Sequence, residues 1–332
     1  MKKLATTLFA ATALCGMLAF SARADGRHPG SLLVYPIYDS QPGVATILTV
    51  TNTNSDQSYN PATKLAAGTV DVEYKYIDAF GCREFNRTER LTPNDTLSVL
   101  AGHHNAQSAL GYLYLFAKHP KTGEAISWNY LIGSMVSLDG IEVVEYSTNA
   151  WAFRALPGTG EATDLDGDGI RDLDGGEYEM TADELLFPRF FGQSEVLFTS
   201  HLVLINLTGG PRFTATADLL IYNDNEQVFS AEVEFNCWAV RLLRSISGAF
   251  TNAFLKLTNH DPDEIRGLDF LESGWFRLDG GMASSSMVSI DDPAILGCLL
   301  EFVGPFGAAD LPFEKGTQDN GDLLPRSVFG DN

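Results

Sequence analysis

Val70-Asp-Val-Glu-Tyr-Lys-Tyr76 decides the fold class. Val70, Val72, Tyr74 and Tyr76 alternate with Asp71, Glu73 and Lys75. A period of two puts one face of a strand in a core and the other in water. Further along, Phe213, Ala215, Ala217, Leu219 and Ile221 alternate with more polar neighbours. Asn223-Asp-Asn225 turns the chain, and Phe229, Ala231, Val233, Phe235 and Cys237 alternate with Ser230, Glu232, Glu234 and Asn236. Those two runs form a hairpin. Residues 31–37, 44–51, 82–91, 96–100, 111–117, 125–132, 141–146, 201–207, 275–278 and 295–303 are also strand-like, with turn residues between them. No stretch keeps a helical period. Thr181-Ala-Asp-Glu184 carries a capping-box signature for one short helix, and residues 261–271 hold a helical turn.

Many short strands with regular turns indicate antiparallel sandwiches. Thr46-Ile-Leu-Thr-Val-Thr-Asn-Thr53 and His201-Leu-Val-Leu-Ile-Asn-Leu-Thr208 are alike, and each leads into a long alternating strand. That suggests a duplicated β-domain, although any two sandwiches share such text. The expectation is an all-β protein of two tandem sandwiches, immunoglobulin-like or jelly-roll-like, over residues 25–156 and 185–305. An acidic connecting loop spans 157–184, and a Gly/Pro/Asp-rich tail, extended or partly disordered, spans 306–332.

Residues 1–24 read as an export signal. Lys2 and Lys3 precede an apolar run from Leu4 to Ala22, and Ala22-Arg-Ala24 is a cleavage site. The mature chain is expected in the periplasm or outside a bacterial cell, with no membrane span after cleavage. The full chain has a formal charge of -21, from 22 basic and 43 acidic residues. That balance disfavours nucleic acid and anionic membranes as partners. Export permits disulfides. Of Cys82, Cys237 and Cys298, the last two lie on strands of the same half and are the expected pair. Cys82 is then buried and reduced, or bonded between chains.

Asp164-Leu-Asp-Gly-Asp-Gly-Ile-Arg-Asp-Leu-Asp-Gly-Gly-Glu177 concentrates six carboxylates against one arginine. Asp164, Asp166 and Asp168 recur every second residue, with Gly169 next. Alternate side chains then point at one centre, and the glycine permits a sharp turn. The carbonyl of Ile170 and the carboxylate of Asp172 fall at the next ligand positions. Oxygen ligands without histidine or cysteine suit Ca2+. The stretch resembles a thrombospondin type 3 or dockerin-like calcium loop. It departs from the EF-hand pattern at the twelfth position, Gly175, so Asp174, Glu177 or Glu179 must close the site. A solvated acidic linker is the alternative.

Catalytic motifs are thin. The sequence holds no G-x-S-x-G elbow, H-E-x-x-H, Walker loop or dinucleotide fingerprint. His103-His104 and the pair Glu142 and Glu145 place adjacent or odd-spaced groups on opposite strand faces. Trp238 follows Cys237, so it should face away from the apolar side as a ligand-surface residue. The sequence makes no firm enzyme assignment and leans against one. The leading expectation is an exported, non-enzymatic surface, matrix or adhesion-type module with a structural calcium site and a glycan or protein ligand. A carbohydrate-binding or carbohydrate-active protein is the second. A self-assembling subunit of an extracellular structure is the third.

Overall fold

The computed structural model describes residues 28–140, 144–193, 198–209, 212–223, 226–258, 272–304 and 306–323. The expected export signal over 1–24 and the helical turn at 261–271 lie outside the described residues. Inside them the chain is nearly all β. A five-stranded sheet comes from the first half alone. Its order is β11 (Trp151–Phe153), β1 (Leu32–Asp39), β8 (Leu110–Lys118), β5 (Val70–Asp78), β6 (Glu84–Leu91). A matching sheet comes from the second half. Its order is β22 (Phe313–Lys315), β13 (Glu184–Phe191), β18 (Ser273–Ser284), β15 (Thr214–Asn223), β16 (Val228–Phe235), with β19 (Ser289–Asp291) beside β18.

The third sheet draws on both halves. It runs β7 (Thr96–Leu100), β2 (Val44–Asn52), β9 (Leu131–Asp139), β10 (Val144–Asn149), β21 (Phe306–Asp310), β20 (Ile295–Val303), β14 (Thr199–Asn206), β17 (Trp238–Leu242). Among the described residues, the seam between β10 and β21 is its one parallel pairing, with Glu145 opposite Phe306. Two short ribbons complete the set: β3 (Tyr59–Asn60) with β4 (Leu65–Ala66), and β12 (Asp172–Leu173) with β23 (Gly321–Asp322).

The halves are one topology used twice. Strands β1, β2, β5, β6, β7, β8, β9, β10 and β11 correspond in order and sheet position to β13, β14, β15, β16, β17, β18, β20, β21 and β22. A parallel seam is what such a joint requires: rotation about an axis along the strands keeps their direction and exchanges the sheet faces. Local details agree. Tyr35-Pro-Ile-Tyr38 in β1 and Phe187-Pro-Arg-Phe190 in β13 both shift register against their neighbour. Each proline sits at the irregularity, where its missing N–H breaks no ladder bond. Gly133 in β9 and Gly297 in β20 are equivalent as well. A Cβ on Gly133 would lie 2.2 Å from the Tyr35 hydroxyl and 2.9 Å from Leu33, and one on Gly297 would lie 3.1 Å from Phe187 and 3.5 Å from Leu185.

Strands β14 and β20 are buried on both faces, which explains the unbroken apolar runs at 201–207 and 295–303. Leu202, Leu204, Ile295 and Leu299 share a core with Leu185, Phe187, Phe276 and Leu278 of the second outer sheet. Val203, Ile205, Leu296, Cys298 and Leu300 join the first half's core instead. Strand β1 packs against β2 and β9, and also against β14 and β20.

Three expectations need correction. The disulfide is Cys82–Cys237, with Cα atoms 6.1 Å apart, and Cys298 is free and buried. Cys237 leads into β17 and Cys298 lies in β20, with β14 between them. Two strand spacings, roughly 9.6 Å, exceed the reach of a disulfide. Residues 181–184 form no helix, because Glu184 opens β13 and pairs with Asp279 and Lys315. The tail is not loose over 306–323: it supplies β21, β22 and β23.

Candidate metal centre

The acidic segment is built into the sheets at both ends. Ala155 bridges Tyr178, and Ile126 bridges Ala162. Ser127 N–H donates to Glu161 O at 2.8 Å, and Thr163 N–H to Ala125 O at 3.1 Å. These bonds fasten the segment to the first half. On the other side β12 pairs with β23, Leu323 N–H donates to Arg171 O at 3.0 Å, and Asp322 N–H donates to Leu207 O at 2.6 Å. Leu207 follows β14, so the segment links the first outer sheet to the second half. Leu173 and Tyr178 are fully buried, and the Arg171 guanidinium lies 5.4 Å from the Phe116 ring centre. The acidic connecting loop is therefore a packed brace.

Within it, each aspartate of the D-x-D-x-D run uses one oxygen to shape the loop. Asp164 Oδ1 accepts from Gly167 N–H at 2.9 Å, Asp166 Oδ1 from Asp168 N–H at 3.1 Å, and Asp168 Oδ1 from Ile170 N–H at 2.7 Å. Gly167 and Gly169 take φ of +80° and +84° with open space where a Cβ would stand. Their need is conformational, since only glycine enters that region without strain. Ligand oxygens of Asp164, Asp166 and Asp168 lie within 4.8 Å of one another, and so do those of Asp166, Asp172 and Glu177. Asp166 belongs to both groups.

Glu177 is buried, and its oxygens accept from Leu165 N–H at 2.5 Å and Asp172 N–H at 3.3 Å. It folds the end of the loop back over the beginning. Asp174, also expected as a ligand, belongs to neither group; it accepts from Gly176 N–H at 2.7 Å and Glu177 N–H at 3.1 Å. Its task is to form the turn that delivers Glu177. Glu179 points elsewhere, accepting from Arg154 N–H at 2.9 Å. Arg171 is buried beside the cluster, 3.2 Å from Asp164, and its charge also offsets that of Glu177. Burial, then the carboxylates of Glu177, Asp168, Asp174 and Asp166, push the Asp172 pKa up to about 6. Burial also raises that of Glu177. A bound cation would reverse both shifts.

The remaining candidates separate clearly. Trp238 is not a surface residue: it is buried, and its Nε1 donates to Pro36 O at 2.8 Å. It follows a bend at Cys237 rather than continuing β16, so the alternation cannot be carried through it. His104 lies in a short helix, Ala101–His104, 2.7 Å from the Tyr76 hydroxyl and 3.3 Å from Glu89, and burial lowers its pKa. Glu145 is exposed on β10, and Glu142 lies outside the described residues. Of the four tryptophans Trp275 is the exposed one, at 37%, and it stacks on Tyr222 with ring centres 4.3 Å apart. Its signal was present in the alternation of β18, where Trp275 is out of phase with Phe276 and Leu278. No protein-family model matches the chain, and no curated protein matches it.

Proposed function

We propose that the chain is an exported, non-enzymatic surface or matrix module whose repeated halves are braced by a calcium ion in the loop 164–177. The observation that carries this reading is the pair of carboxylate groups that share Asp166. They combine ligands from the run 164–168 with Asp172 and Glu177, about the number of hard oxygens that calcium takes once carbonyls and waters are added. The role is mechanical. An ion would neutralise carboxylates that otherwise repel one another and stiffen the segment that ties the first outer sheet to Leu207 and the C-terminal strands.

The test is a thermal melt of the protein in calcium and in chelator. A ligand at a hundredfold excess over its Kd stabilises by about 2.7 kcal/mol, so the expected rise in Tm is several degrees. Asp166→Ala with Asp168→Ala should abolish the rise, whereas Asp174→Asn should retain most of it. A wild-type Tm that ignores millimolar calcium removes the metal from the account.

A further inference from the structure

Among the described residues, the outward face of the second outer sheet leaves Leu220 and Trp275 exposed, and its composition is specific. Tyr222 and Trp275 are register partners on β15 and β18, and their rings stack at 7°. One step along the same face Leu220 is opposite Arg277, and one step further Asp218 is opposite Asp279. Glu184 on β13 sits beside Asp279 and ion-pairs with both Arg277 and Lys315, the latter at 2.5 Å. A shallow depression of about 420 Å3 runs over Asp218, Leu220, Arg277, Asp279 and Glu184, next to the aromatic pair.

We propose that this face binds a neutral saccharide. A sugar ring offers an apolar C–H side that lies flat on an indole, and a rim of hydroxyls that need both acceptors and donors. Tyr222 backs one face of the Trp275 indole, so a sugar would pack on the part of the pair that stays exposed, with the Asp218 and Asp279 carboxylates and the Arg277 guanidinium further along the face. Charge narrows the class. Three carboxylates against Arg277 and Lys315 leave the face negative, on a chain of formal charge -21. Acidic polymers are repelled, and a second copy of the chain would bring like charges together. This site is independent of the calcium loop and does not need the metal reading to hold.

The experiment is titration calorimetry of the full chain with cellohexaose, chitohexaose and laminarihexaose, using wild type, Trp275→Ala and Trp275→Phe. A thermal melt of each variant confirms that it is folded. At least one hexasaccharide should bind, with affinity falling about tenfold or more in Trp275→Ala and recovering in part in Trp275→Phe. Silence from all three sugars at millimolar concentration overturns the proposal, as does binding that is unchanged in Trp275→Ala. Concentration-dependent dimers in sedimentation that vanish in Trp275→Ala overturn it too, and give the face to a second copy.

Discussion

The first outer sheet and the second share one strand order, yet they differ on the outward face where β1 and β13 meet their neighbours. In the first, Leu32 is opposite both Phe116 and Phe153, and all three are buried. At the matching positions of the second, Glu184 is opposite both Asp279 and Lys315. The eight-stranded sheet shows the same exchange in reverse. Val203 pairs with Cys298 in the buried second half, whereas Thr49 pairs with Ser134 in the first half, where both are half-buried. The inner rows that pack each sandwich stayed apolar in both halves. The other rows are apolar where a neighbouring element covers them and polar where water or an ion pair reaches them, as Arg277 and Lys315 reach the buried Glu184. Strand order follows from the inner rows; the polarity of the outer rows follows from the cover.

The comparison breaks most easily at the bond that holds the halves together. Cys82–Cys237 closes a loop with a sequence separation of 155. Replacing both cysteines by serine should cost about 3–5 kcal/mol, read as a lowered guanidinium midpoint that reductant no longer changes. An unaltered midpoint would mean that the shared core holds the halves without the covalent link. The next effect concerns the cover itself. Val203→Thr buries a hydroxyl and should cost about 1–3 kcal/mol, whereas Thr49→Val on the wetter face should stay within about 0.5 kcal/mol. Equal costs in urea unfolding would show that the two faces are covered alike.

The smallest effect lies in the brace. In chelator, Asp172 has a folded pKa of about 6, above its unfolded value. Between those values the native state holds more protons than the unfolded chain, so stability falls as pH rises through the window. Chelated protein should therefore gain stability from this group on going from about pH 7 to about pH 5. Asp172→Asn should flatten that part of the profile, and calcium should reverse its slope. A slope in chelated protein that persists in Asp172→Asn assigns it to other groups.

The strands were legible in the sequence where one face is wet, as at 70–76 and 213–237, because alternation survives only when water covers alternate residues. The doubly buried runs were recognisable as strands, but their second face was not, since an apolar residue does not say which neighbour it touches. The D-x-D-x-D loop was also legible: its glycines and aspartates act on their own backbone within a few residues. Three local carboxylates could close the loop, and the turn made by Asp174 brings Glu177 beside Asp166 and Asp172. The disulfide and the role of Trp238 were misread for a different reason. Both depend on which strand lies between which, and on a bend at Cys237 that ends the alternation.

By itself, then, the sequence determined local matters: β-structure, the acidic loop and the strong negative charge. These rest on interactions between residues close along the chain. Only the tertiary structure decided that the halves share one sheet through a parallel seam, that Cys82 meets Cys237, and that Trp275 rather than Trp238 faces water. Those outcomes depend on contacts between residues far apart in the chain. They are set by the mutual burial of whole faces, a property that no single stretch carries.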